Sequence, residues 1–185
     1  LAANEIAKAR NKVIMFSGPG ATRLPNEACG PYSVHYAYDT YALSKGTGLA
    51  TVKQGYNSWF FITADYAFGH DLEKDTSNVV KAAGGTVAGA VRAPLNTPDF
   101  SSFLLQAQNS KAKVVGLANA GADMINTIKQ AHEFGLQKSG QKLATLLAFI
   151  SDIESLGLET AQGLLLTEAF YWDLHDDTRA FCSIP

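Results

Sequence analysis

Short apolar segments alternate along the chain with longer segments in which apolar residues recur at helical spacing. The short segments predict buried strands over residues 13–16, 59–63, 86–91, 113–117, 143–149 and 163–170. The longer segments predict amphipathic helices over residues 38–54, 70–83, 99–109 and 121–134, with residues 1–10 as the end of a further helix. Asp99 is the predicted N-cap of the helix that follows it.

Strands that alternate with helices of this length require crossover connections, which join parallel strands. The strands are almost continuously apolar, as expected for a sheet that helices cover on both faces. We therefore predict an α/β domain over residues 30–162, with a doubly wound parallel sheet in a three-layer α/β/α arrangement. Residues 21–34, which contain Pro25, Gly30 and Pro31, are predicted to form a loop.

The composition is that of a globular protein with an ordinary hydrophobic core. Of the 185 residues, 46% are hydrophobic, the formal net charge is −2 and the pI is about 6.1. Because the chain lacks a basic stripe and an acidic tail, no nucleic acid is expected as a partner. Residues 1–10 have the pattern of an interrupted helix rather than of a signal peptide, so we expect that Leu1 is not the native start.

Signatures of catalysis, metals and cofactors are scarce. The GPG at residues 18–20 begins like a dinucleotide-binding turn, but Arg23 occupies the position of the third glycine. P-loop and G-x-S-x-G patterns are absent, and the histidines His35, His70, His132 and His175 lack metal-ligand spacing. We predict no catalytic residue, metal or cofactor, and keep as an alternative a Rossmann-like enzyme with a nucleotide or metal at residues 17–22.

The two cysteines, Cys29 and Cys182, are too few for a disulfide framework and lack the C-x-x-C spacing of zinc or redox sites. They are interpreted as incidental thiols. A bridge between them stays open for an oxidising compartment.

Candidate binding residues follow the predicted strands, because ligands of open parallel sheets bind beyond the carboxyl ends of the strands. This rule selects residues 17–22, 65–69, 118–121 and 149–152. Gly20, Ala21 and Thr22 expose backbone N–H groups and a hydroxyl with little side-chain bulk, which suits a carboxylate. Tyr66 and Phe68 could present their rings to an apolar ligand.

Three segments carry a resemblance to a known family. They are FSGPGAT at residues 16–22, WFFITADYAFG at residues 59–69 and QGLLL at residues 162–166. In this order they resemble the type I periplasmic binding proteins of the leucine/isoleucine/valine-binding family. The DYAFG turn is similar to that of a subgroup with members that bind aromatic acids.

The resemblance implies a fragment of a protein with two α/β lobes that close on a ligand by a hinge motion. Residues 1–29 would form the end of the first lobe and the hinge, residues 30–162 the second lobe, and residues 163–185 the return toward the first. It also implies a periplasmic location and an ABC permease in the inner membrane as partner. The protein would capture a small molecule and do no chemistry on it.

The resemblance further implies ligand-binding residues. Residues 20–22 match the segment whose backbone and threonine hold the ligand carboxylate. Phe68 matches a tyrosine of the leucine binder, and Phe149 lies near the position of a glutamate that holds the ligand ammonium group. Small residues stand where that protein has bulky tyrosines: Asn119, Ala120 and Gly121.

No carboxylate matches the ammonium partner, and burying an unpaired ammonium group is costly. We therefore expect a ligand with a carboxylate and a ring but no amine, such as a benzoate or a cinnamate. Tyr66, Phe68 and Phe149 would stack on the ring, Asp152 would bind a ring hydroxyl, and Trp172 completes the predicted set.

Two alternatives share this fold. One is an amino-acid or amide receptor, in which Asp65 or Asp152 would be the ammonium partner. The other is a sensory domain that uses the same closure as a switch.

Overall fold

A five-stranded parallel sheet organises most of the chain. The structure, a computed structural model, describes residues 1–183. In chain order the strands are β1 (Ile14–Phe16), β2 (Ser33–His35), β3 (Ser58–Ala64), β4 (Thr86–Ala93), β5 (Val114–Ala118), β6 (Lys142–Thr145) and β7 (Leu165–Leu166). The five-stranded sheet has the order β4-β3-β5-β6-β7, and β1 and β2 form a separate two-stranded parallel sheet.

Helices connect the strands and cover both faces of this sheet. They are α1 (Ala2–Ala9), α2 (Thr40–Ser44), α3 (Ala50–Lys53), α4 (Ala67–Ala82), α5 (Ser101–Asn109), α6 (Gly121–Glu133), α7 (Ile150–Leu156), α8 (Leu158–Ala161) and α9 (Asp176–Cys182). In the five-stranded sheet, each pair of neighbouring strands is joined through at least one helix, as a crossover connection requires.

Two hydrophobic cores lie on opposite faces of the sheet. One contains Leu104 of α5 and Met124 of α6, and the other contains Leu43 of α2 and Leu72 of α4. Successive residues of β3 alternate between the two cores, because side chains of a strand point to alternate faces. The predicted three-layer α/β/α fold with a parallel sheet is confirmed.

A π-helical turn, Lys45–Leu49, joins α2 to α3 and makes one long helix of the predicted segment 38–54. The wider turn meets the segment that follows β7. Thr167 Oγ1 lies 2.5 Å from Thr47 Oγ1 and donates to the carbonyl oxygen of Leu43 at 3.4 Å. This side of the helix is therefore joined to a residue far away in the sequence.

Several predicted boundaries are wrong. The N-cap of α5 is Phe100 rather than Asp99, whose carboxylate accepts a hydrogen bond from the N–H of Ser101 at 2.8 Å. The strands predicted over 143–149 and 163–170 are shorter, because their apolar residues continue into loops beyond β6 and β7. The predicted loop 21–34 ends in β2, which its short, polar sequence did not indicate.

The predicted return segment, residues 163–185, contains β7 and α9 as far as it is described, and residues 184 and 185 lie outside the described residues. Within residues 1–183, none of the helices combines the length and apolar character needed to cross a membrane.

Candidate functional site

A cavity of about 410 Å³ lies where the carboxyl ends of both sheets meet. The loop after β1 contributes Gly18, Pro19, Gly20, Ala21 and Leu24. The segments after β3, β5 and β6 contribute Tyr66, Ala67, Phe68, Ala120, Leu147 and Phe149, and Leu1 and Tyr38 complete the lining. The cavity is therefore lined by two different parts of the chain.

Backbone groups dominate the side of the cavity formed by the loop. Gly20 and Ala21 are buried, and no residue among 1–183 accepts a hydrogen bond from their N–H groups. Gly20 packs closely against the rings beside it, because a Cβ there would lie 2.9 Å from Cε2 of Tyr38 and 3.3 Å from Cε2 of Phe68. A larger residue would displace these rings, so the loop requires glycine at this position.

Aromatic rings form the opposite walls. The rings of Tyr66 and Phe68 have centroids 6.0 Å apart, and those of Tyr38 and Phe149 have centroids 5.9 Å apart. Both pairs are tilted, which is a favourable arrangement of aromatic quadrupoles. Together the pairs give the cavity a largely apolar interior that suits a ring.

Two helices start at the rim of the cavity without a side-chain cap. The N-cap residues are Tyr66 for α4 and Ala120 for α6, and neither side chain accepts a hydrogen bond from its helix. The first N–H groups of a helix need acceptors, and its dipole favours a negative charge there. The start of α4 thus favours an anionic group at the rim, whereas the start of α6 already carries the carboxylate of Asp123 in its first turn.

Tyr66 brings a polar group into this apolar interior. Burial, the negative charge of Asp123 and the neighbouring Tyr38 raise the pKa of its hydroxyl above the usual value, so that it stays protonated at neutral pH. Asp123 lies in the first turn of α6, is 8% exposed and accepts a hydrogen bond from the N–H of Asn96 at 3.1 Å. Burial likewise raises the pKa of Tyr38, whose hydroxyl donates to the carbonyl oxygen of Gly18 at 2.9 Å.

Comparison with known families decides the identity of the chain. The family described as "Periplasmic binding protein" matches residues 1–183. The chain belongs to this periplasmic binding protein family. This finding confirms the resemblance stated from residues 16–22, 59–69 and 162–166.

Known relatives of this periplasmic binding protein agree with the assignment. The chain is 59% identical to a periplasmic binding protein from Burkholderia mallei, with a TM-score of 0.92 over 97% of this chain and 48% of that chain. It is 30% identical to "Leu/Ile/Val-binding protein homolog 6" of Brucella melitensis over 80% of this chain and 38% of the relative. The chain thus spans less than half the length of these proteins.

The fold is also shared with an ABC-transporter solute-binding protein from Rhodopseudomonas palustris HaA2, solved in complex with p-hydroxybenzoic acid. That protein is 24% identical, with a TM-score of 0.86 over 98% of this chain and 50% of that chain. At this identity the likeness concerns the fold.

The predicted ligand-binding residues of the periplasmic binding protein fall into two groups. Those that line the cavity are Gly20, Ala21, Tyr66, Phe68, Ala120 and Phe149. The others lie outside the lining: Thr22, Asn119, Gly121, Asp152 and Trp172.

Each of the outer residues has a local explanation. The Thr22 hydroxyl is hydrogen-bonded to Asp75 at 3.0 Å, and the carboxylate of Asp152 accepts the N–H of Phe149 at 2.9 Å as a cap of α7. Asn119 is 1% exposed, and its amide donates to Thr127 Oγ1 at 3.1 Å, on the side of α6. Gly121 adopts a positive φ of 58° at the start of α6, and Trp172 is 49% exposed beside Tyr171.

Sequence reasoning missed several lining residues, of which Tyr38 is the most informative. It follows β2, and the rule of strand carboxyl ends would have selected it had that strand been recognised. Leu24 and Leu147 were missed because an apolar residue in a loop carries no signal of its own. Asp123, which lies outside the lining but whose charge acts on Tyr66, was missed because it lies two residues beyond the predicted segment 118–121.

Other chemistry-bearing residues are dispersed. Cys29 and Cys182 are free and exposed. Within residues 1–183, no three residues of the metal-ligating types His, Cys, Asp and Glu gather in a group that could hold a metal ion.

Proposed function

We propose that the protein is the extracytoplasmic solute-binding component of an ABC importer and that it captures a small aromatic acid. The observation that carries this proposal is the cavity, which is lined by Gly20 and Ala21 on one side and by aromatic rings on the others. A benzoate-sized ligand would place its carboxylate at Gly20 and Ala21 and its ring between Phe68 and Phe149.

The carboxylate end is supported by backbone groups rather than by a cation. Hydrogen bonds to a charged group contribute roughly 1.5–3 kcal/mol each, and two buried N–H groups are available in Gly20 and Ala21. The uncapped start of α4 adds a favourable field for an anion. A net positive side chain is not required for capture.

The rest of the cavity supports a ligand without an amine. Within the described part of the chain, none of the side chains that line the cavity is a carboxylate. An ammonium group enclosed there would lose its hydration without gaining a direct partner. The hydroxyl of Tyr66 can instead bond to a polar ring substituent.

The whole protein would work as two lobes that close on the ligand. In this plan residues 1–29 belong to the first lobe and hinge, residues 30–162 to the second lobe, and residues 163–185 return toward the first. The protein would act in the periplasm, deliver its ligand to an inner-membrane ABC permease and leave the ligand chemically unchanged.

Titration of the complete gene product with 4-hydroxybenzoate and with leucine tests this proposal. We expect saturable calorimetric binding of 4-hydroxybenzoate and none of leucine at equal concentration. Phe68→Ala should weaken binding of the aromatic acid, whereas the exposed Glu133→Gln should not. Tight binding of leucine alone would refute the aromatic-acid assignment.

A second candidate is an amino-acid receptor, which one observation favours. Asp123 is a buried carboxylate close enough to Tyr66 for its charge to act on the tyrosine hydroxyl. A small shift of Tyr66 would let this carboxylate pair with a ligand ammonium group. Asp123→Asn separates the candidates, because it would abolish binding of an amino acid and leave binding of an aromatic acid nearly unchanged.

A further inference from the structure

A polar network ties the loop that carries Gly20 and Ala21 to helices on the far side of the cavity rim. The hydroxyls of Thr22 and Thr40 lie 3.0 and 2.6 Å from the same oxygen of Asp75, Oδ2, and they contact each other. The N–H of Thr40 also donates to the carbonyl oxygen of Gly20 at 2.8 Å. The loop is therefore bound through both its backbone and its side chains.

A charged pair adds a second attachment one helical turn away. Nε of Arg23 donates to Oδ2 of Asp71 at 2.9 Å, and the side chain of Asp71 is only 14% exposed. Because Asp71 and Asp75 are four residues apart on α4, both carboxylates face the loop. The hydrogen bond to Asp71 raises the pKa of Arg23, as expected for a charge-assisted contact.

The network connects two separate parts of the fold. The loop follows β1 of the two-stranded sheet, whereas α4 packs on the five-stranded sheet. The cavity lies between these parts and takes its lining from both. The five residues of the network, Thr22, Arg23, Thr40, Asp71 and Asp75, do not line it. These residues therefore act on ligand binding indirectly, by fixing the position of the loop after β1 relative to α4.

We propose that Asp71 and Asp75 are positioning residues that latch the Gly20–Ala21 loop onto α4 and hold the cavity closed around its ligand. The inference rests on the proposed solute-binding function. In a protein whose two lobes close by a hinge motion, bonds between the lobes that break on opening would stabilise the closed state in the presence and absence of ligand. Their loss would release the ligand faster without changing how it first enters.

Stopped-flow binding of 4-hydroxybenzoate, or of leucine if only leucine binds, tests the latch in the complete gene product. Asp71→Asn and Asp75→Asn keep the side-chain shape and remove the charge. We expect Asp75→Asn to raise the dissociation rate on the order of tenfold and Asp71→Asn to raise it by a smaller factor, because Arg23 is 42% exposed. Neither variant should lower the association rate. Glu133→Gln, which removes an exposed charge on α6, is the matched control.

Small-angle scattering of the ligand-free protein gives an independent readout. Both aspartate variants should have a larger radius of gyration than the wild type, because fewer molecules are closed. Unchanged dissociation rates and an unchanged radius would overturn the latch, as would a fall in the association rate accompanied by a lower unfolding temperature, which marks simple structural support.

Failure of the proposed function would look different. If the wild-type protein binds neither probe, the solute assignment is refuted, but scattering still tests the latch. An equal radius for wild type and variants would then refute the latch too, whereas a larger radius in the variants would sustain it.

Discussion

The two sides of the cavity are built in different ways. On the sheet side, Tyr66, Phe68 and Ala120 are held by strands and helix starts that regular backbone hydrogen bonds define. On the loop side, Gly20 and Ala21 present bare backbone, and their position depends on contacts made by Thr22 and Arg23. The sheet side is therefore robust and recognisable in sequence, whereas the loop side is adjustable and depends on distant partners.

The largest effect is expected from a substitution at Gly69, which lies in the first turn of α4 on the sheet side of the cavity. A Cβ there would lie 2.1 Å from the carbonyl oxygen of Ala64 and 3.0 Å from that of Ala118, so α4 would have to move off the strand ends. Gly69→Ala should lower the free energy of unfolding by about 3 kcal/mol, measured by urea denaturation. Gly18→Ala, whose Cβ would meet no atom within 4 Å, is the control and should leave this free energy unchanged.

The loop side is broken most directly at Gly20. Its replacement by alanine places a Cβ against Tyr38 and Phe68 and should weaken ligand binding by roughly thirty-fold, equivalent to about 2 kcal/mol of overpacking. Calorimetry of the complete gene product measures this. Gly89→Ala introduces a similar contact, 3.2 Å from Phe60 and remote from the cavity, and equal losses of affinity in both variants would contradict the prediction.

Removing the ring of Phe149 tests the contribution of the aromatic walls without changing the backbone of either side of the cavity. Phe149 is 37% exposed and its ring lies 5.9 Å from that of Tyr38, so Phe149→Ala should cost little folding stability. Loss of one stacking partner should weaken the binding of an aromatic ligand by about tenfold, equivalent to roughly 1.4 kcal/mol. Phe149→Leu keeps apolar volume but removes the ring. Compared with Phe149→Ala, it should therefore restore part of the affinity for an aliphatic ligand but not the affinity for an aromatic one.

The smallest effect is expected from pH, through the hydroxyl groups of Tyr38 and Tyr66. Because the pKa values of Tyr38 and Tyr66 are raised, both hydroxyls stay neutral and binding should not vary between about pH 6 and 9. Above the unfolded value near 10 the folded protein holds more protons than the unfolded chain, so the free energy of unfolding should fall as pH rises.

The double variant Tyr38→Phe/Tyr66→Phe is the control for this pH dependence. It should lose that part of the alkaline decrease in stability that the two tyrosines cause. An alkaline decrease as steep as that of the wild type would assign the effect to other groups.

The fold was predictable from the sequence because a buried parallel sheet leaves a strong pattern. The run at 59–63 could be recognised as a strand by its composition, and the position of Tyr66 and Phe68 after it follows from a general rule. The short strand β2 gave no such signal, since Ser33–His35 has one apolar residue and a partner of equal length. With β2 unrecognised, Tyr38 was assigned to a helix and its place at the cavity was lost.

The network of the loop could not be predicted for a different reason. Thr22 and Asp75 are 53 residues apart, and nothing in either local sequence indicates that their side chains meet. The same residue types suit a turn and an exposed helix face equally well. Pairings of this kind become visible only in three dimensions.

The π-helical turn at Lys45–Leu49 has a consequence for protein engineering. Gly46 lies against Thr167 so closely that a Cβ would come within 2.7 Å of the threonine hydroxyl, and that hydroxyl also reaches Leu43 and Thr47. A side chain at Gly46 would therefore displace Thr167 from these partners, and any chimera should exchange the turn together with the segment that carries Thr167.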